Sequence, residues 1–75
     1  MNELLSYISI DPDIRSGKPC IKGTRITIGD ILQWLASGMS VSEILEDFPL
    51  LNEEHIRAAL NFAANREAYT KIVAA

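Results

Sequence analysis

A single cysteine, Cys20, excludes an internal disulfide and fits a reducing compartment. The single histidine, His55, lies far from Cys20 in the chain, so no cysteine–histidine pair for nucleophilic catalysis is apparent. Long apolar runs are also missing. No segment approaches the roughly 20 residues needed to span a bilayer, and Leu4-Leu5 sits among polar residues rather than in a secretory leader. A cytoplasmic, non-membrane protein is expected. Gly17 and Gly23 do not introduce a phosphate-binding loop, because no strand-to-helix junction with lysine and serine follows them. Asp11 and Asp13 flank Pro12, but one Asp-Pro-Asp turn supplies too few oxygens for a hard cation. Together these absences predict a chain that is not an enzyme, with no metal, cofactor or small-molecule substrate.

What is present is apolar content, 48% of 75 residues. A chain of this length buries only about 60% of its unfolded surface, which makes a lone monomer marginal. A homodimer or another protein partner is therefore expected to cover part of the apolar surface. The net charge is −3, unevenly spread. Arg15, Lys18, Lys22 and Arg25 form a local +4 without an acid, and the remainder holds three basic against ten acidic residues, a local −7. The whole-chain charge disfavours non-specific nucleic-acid binding and confines any polyanion contact to that stretch.

Residues 1–75 read as a single domain, with β structure and turns over 7–26, three helices over 27–71 and a tail at 72–75. Tyr7 to Asp11 alternates polar and apolar, with Ile8 and Ile10 on one face, and predicts a half-buried strand ended by Asp11-Pro12-Asp13. Pro19-Cys20-Ile21 and Thr24-Arg25-Ile26 flank Lys22-Gly23, predicting a hairpin with Gly23 at positive φ. Such a ribbon is unstable by itself and must pair with the Ile8 strand, the helices or a second subunit.

Thr27, Ser40 and Asn52 each precede a helical apolar stripe. These are Ile28/Ile31/Leu32/Leu35, Val41/Ile44/Leu45/Phe48 and Ile56/Ala59/Leu60/Ala63. Asp30 and Glu43 stand three residues after their caps, the spacing of a capping box. Each cap also has an apolar residue before it and another at the fourth helical position: Ile26 with Ile31, Met39 with Ile44, Leu51 with Ile56. That is the hydrophobic-staple spacing. Gly38 and Pro49 end the first two helices. Short connections then give a mainly α, three-helix, helix-turn-helix-like (homeodomain-like) domain with a short N-terminal β strand and hairpin.

Two surfaces are candidate sites. Ala58, Phe62, Asn65 and Tyr69 form a second stripe on the third helix, followed by Ile72 and Val73. Phe62, Tyr69, Ile72 and Val73 are the expected partner-binding face. For nucleic acid, Arg57 and Asn61 are usable readers on the third helix, although Glu53 and Glu54 beside them repel phosphate. Arg15, Lys18, Lys22 and Arg25 offer phosphate contacts from the ribbon instead, or pair with acids of the helices. Trp34, off the main stripe of its helix, reads as a lid over the hairpin or an interface anchor.

Ile10-Asp11-Pro12, the run Gly17-Lys18-Pro19-Cys20-Ile21-Lys22-Gly23-Thr24-Arg25-Ile26, then Gly38, Glu43-Ile44, Phe48-Pro49, Ile56, Ala59-Leu60 and Ala63 closely resemble domain-of-unknown-function family 433. The resemblance covers roughly residues 7 to 67. It implies a small prokaryotic protein similar to VapB-like antitoxins, with no catalytic residues to carry over. The implied function is to bind and neutralise a PIN-like ribonuclease toxin and to bind its own promoter, a double-stranded DNA. A DNA-binding regulator without a toxin and a purely structural interaction module are the alternatives.

Overall fold

Two short strands and three helices fold around one isoleucine-rich core. The computed structural model describes the backbone of residues 3–74 and the side chains of residues 4–66. A 3-10 turn, Glu3–Tyr7, leads into β1 (Ile8–Ser9), which pairs antiparallel with β2 (Cys20–Ile21) in the register Ile8 to Ile21 and Ser9 to Cys20. Three helices follow: α1 (Ile28–Ala36), α2 (Val41–Asp47) and α3 (Glu53–Ala74).

The Lys22-Gly23 turn forms as expected. Gly23 has φ +82°, the Thr24 N–H donates to the Ile21 carbonyl at 3.0 Å, and the Ile21 N–H donates to the Ile26 carbonyl at 2.9 Å. The ribbon is shorter than predicted on its second arm, where only Thr27 bridges back to Cys20. Thr24 instead turns its hydroxyl onto the Ile21 carbonyl and accepts the Ile26 N–H, local bonds that compete with a ladder. Pairing with β1 supplies the support a bare ribbon lacks.

The first strand is also shorter than its alternation suggests. Tyr7 belongs to the 3-10 turn, and Ile10 is 62% exposed because the chain turns away at Asp11. There the Asp11 carboxylate accepts the Asp13 N–H at 2.9 Å.

Helix starts follow the sequence closely. Thr27 and Asp30 exchange two hydrogen bonds, 2.9 and 3.1 Å, and Ser40 and Glu43 do the same at 3.1 and 2.9 Å. At α3 the reciprocal pair is Asn52 and His55, both bonds 3.1 Å, with Nδ1 of the imidazole accepting where a glutamate ordinarily would. His55 is thus a structural cap, held also by an edge-on contact with Tyr7 at 5.3 Å. The residues at the fourth helical positions, Ile31, Ile44 and Ile56, are all buried, joined by Ile21, Ile28, Leu51 and Ala59 in the core.

Two packing expectations are corrected. Trp34 does not serve as a lid over the hairpin. It stacks on Phe48 at 4.1 Å with rings 11° apart, tying α1 to the end of α2. On α3 the inward stripe includes Ala58, fully buried, whereas Leu60 is 48% exposed. The cause is the N-terminal 3-10 turn, which packs along α3 and rotates the buried arc toward the Ala58 side.

A candidate binding groove between the left-handed turn and two helices

Arg15, Ser16 and Gly17 run consecutively at positive φ, 51°, 59° and 80°. Left-handed backbone costs an L-residue roughly 1–2 kcal/mol, so two non-glycine positions need compensation. Part of it is visible at Arg15. Its Nη1 donates to the Arg25 carbonyl at 2.8 Å and to Asp30 Oδ2 at 3.1 Å. The Gly17 N–H closes the turn on the Ile14 carbonyl at 3.1 Å.

Asp30 therefore serves two elements, completing the α1 cap and anchoring Arg15. Burial raises its pKa, but hydrogen bonds from the Thr27 N–H, Arg15 and the Thr27 hydroxyl outweigh that, and its carboxyl is held below the usual value.

The turn forms one wall of a groove of about 870 Å³. Arg15, Ser16 and Lys18 line it on the turn, Thr27 to Asp30 with Leu32 and Gln33 on α1, and Phe62, Ala63 and Arg66 on α3. A smaller hollow of about 160 Å³ adjoins it through Phe62 and Arg66 and is lined further by Leu5 and Asn65. The volume is within the range of ligand pockets, but the groove is open rather than enclosed.

The basic stretch does not act as one patch. Arg15 and Lys18 face the groove, whereas Lys22 and Arg25 sit on the exposed turn beyond it. Lys18, Lys22 and Arg25 form no ion pair among the described residues. It is Arg15, rather than Arg25, that meets a helix acid. The third cation of the groove, Arg66, is not singled out by the sequence, because it is distant from Arg15 and Lys18 in the chain and continues an apolar stripe with a charged residue.

Of the third-helix readers, Arg57 is exposed and pairs with Glu54 at 3.6 Å, and the amide nitrogen of Asn61 is enclosed with no hydrogen-bond partner among the described residues. Of the expected partner-binding face, Phe62 is half-buried, packed on the core and lining the groove. Tyr69, Ile72 and Val73 lie outside the residues whose side chains are described.

Cys20 is buried, with its thiol 3.3 Å from the Lys18 carbonyl, and no three His, Cys, Asp or Glu among the described residues gather as a metal site. No helix among those residues is long and apolar enough to cross a membrane.

Comparison with known proteins places this geometry in a family. Over 56 residues the chain is 39% identical to the "Uncharacterized protein y4eO" of Sinorhizobium fredii (strain NBRC 101917 / NGR234), a match covering 75% of this chain and 25% of that protein. The match thus spans about a quarter of the length of that curated relative. A crystal structure of a DUF433 member protein from Anabaena variabilis ATCC 29413 superposes with a TM-score of 0.76 at 24% identity, covering 100% of this chain and 87% of that one. That likeness establishes the three-helix fold. Residues 8–63 match the model of the family described as "Protein of unknown function (DUF433)", and the chain belongs to that family.

Proposed function

We propose that the chain is a non-catalytic binding module of antitoxin type, which holds and silences a PIN-like toxin through the groove face. The observation that supports this reading is the groove itself. It is an open concavity joining cations to half-buried apolar side chains. Interfaces between proteins combine an apolar centre with a polar rim in this way. The occurrence of a similar segment as a quarter of a longer protein is consistent with a portable interaction unit.

Co-expression with the product of the neighbouring gene tests the proposal. The two proteins are expected to co-purify, and growth arrested by the neighbour alone is expected to recover. A neighbour that is harmless alone, or one that stays toxic and separate, overturns it. A homodimer is the accompanying assembly, and a mass that remains monomeric as concentration rises removes that part.

Promoter binding is a second reading, favoured by one feature: Lys18, Lys22 and Arg25 are exposed and carry no ion pair among the described residues. Replacing all three with alanine is expected to weaken binding to upstream DNA and flatten its salt dependence. Unchanged DNA binding by the triple variant overturns the ribbon as the contact.

A further inference from the structure

We infer that the groove receives an acidic, leucine-bearing segment of a partner protein, an inference that rests on the binding-module reading and names the chemistry of its partner. The first argument is charge. Arg15, Lys18 and Arg66 line the groove, and Asp30, the one carboxylate lining it among the described residues, already accepts bonds from Arg15 and the Thr27 N–H. The described lining is thus net positive by formal charge on a chain whose net charge is −3.

Preorganisation is the second argument. Both bonds of Arg15 use Nη1, so its guanidinium is held in place while Nε and Nη2 remain to meet a carboxylate. Little side-chain entropy is then lost on binding.

The third argument is apolar surface in line with the cations. Ile28, Leu32 and Phe62 line the groove, and past Phe62 and Arg66 the adjoining hollow continues to Leu5, 46% exposed. An open groove with cations on the turn and on α3 and apolar surface between them fits an amphipathic segment better than a compact anion. Nucleic acid is disfavoured by the same features, since Asp30 and the leucines offer a phosphate backbone nothing. A second copy could bring its own acids, and Lys18→Glu would then abolish self-association.

The test is titration of a labelled synthetic peptide in which glutamates are interleaved with leucines, with a lysine-for-glutamate version as control. The acidic peptide is expected to bind in a salt-sensitive manner and the basic one not to bind. Lys18→Glu, at an exposed side chain with no ion pair among the described residues, is expected to weaken binding about tenfold or more, and Lys22→Glu, outside the groove, to leave it unchanged. Leu5→Asp is expected to weaken it as well. Equal binding of both peptides, no effect of Lys18→Glu, displacement of the peptide by a DNA duplex, or self-association that Lys18→Glu abolishes would overturn the inference. If the neighbouring-gene product co-purifies equally with wild type and Lys18→Glu, the groove is wrong and the binding-module reading stands. If nothing co-purifies with wild type, that reading fails, and the peptide titration judges the groove independently.

Discussion

One carboxylate oxygen, Oδ2 of Asp30, accepts from both the Arg15 guanidinium and the Thr27 N–H, each at 3.1 Å, and so joins the left-handed turn to the first turn of α1. Asp30→Ala removes a cap partner and a half-exposed ion pair together, and is expected to cost about 1–2 kcal/mol, measured by urea unfolding. Asp30→Asn keeps an acceptor for Thr27 and should cost less. The pH dependence has a definite sign. Asp30 is held below its usual pKa in the folded chain, so its contribution is complete above the unfolded value and is lost as pH falls through the folded one. Glu43, lowered by the Ser40 N–H and hydroxyl, behaves likewise. Wild type is therefore expected to lose more stability between pH about 5 and about 2 than Asp30→Asn does.

His55 occupies the place of a glutamate in the α3 cap, and glutamine can replace it there without loss of the acceptor. His55→Gln removes only the edge-on contact with Tyr7, about 0.5–1 kcal/mol. His55→Ala removes that contact and the cap bond, about 1–2 kcal/mol. Thermal unfolding of the two variants separates the contributions. Equal losses would mean that the Nδ1 bond adds nothing.

The stacked pair Trp34 and Phe48 links the middle of α1 to the residue that ends α2. A double-mutant cycle with leucine at each position is expected to give a coupling of about 0.5–1.5 kcal/mol beyond the loss of area. Additive single losses would show that the two rings contribute only as separate apolar surfaces.

The parts of this fold that local chemistry controls could be read from the chain. Thr27, Ser40 and Asn52 cap through bonds three residues long, and their staples lie within five residues, so spacing alone reveals them. The groove could not be read that way. It depends on Arg66 reaching the same face as Arg15 and Lys18, a long-range meeting that no periodicity encodes. Nor does sequence announce a left-handed turn at Arg15 and Ser16, since neither is a residue that prefers it. The exchange of Leu60 for Ala58 in the core has the same origin. The Glu3–Tyr7 turn shows no amphipathic period, yet its packing on α3 decides which arc of the helix is buried.

Asn61 gives the sharpest separation between internal structure and recognition. Its amide nitrogen is enclosed and has no partner among the described residues, a state that costs a folded protein about 1–3 kcal/mol per buried group. Asn61→Leu replaces the amide with a side chain of similar size that needs no partner, and is expected to stabilise the domain by about 1 kcal/mol in urea unfolding. Asn61→Asp places a carboxylate in the same enclosure and is expected to destabilise it. The same leucine variant tests the third helix as a DNA reader. A base-contacting asparagine would lose about 1–3 kcal/mol of discrimination on substitution, whereas an inward-facing one loses none. A gain in stability with promoter affinity unchanged would assign Asn61 to the interior and leave any DNA contact to Lys18, Lys22 and Arg25.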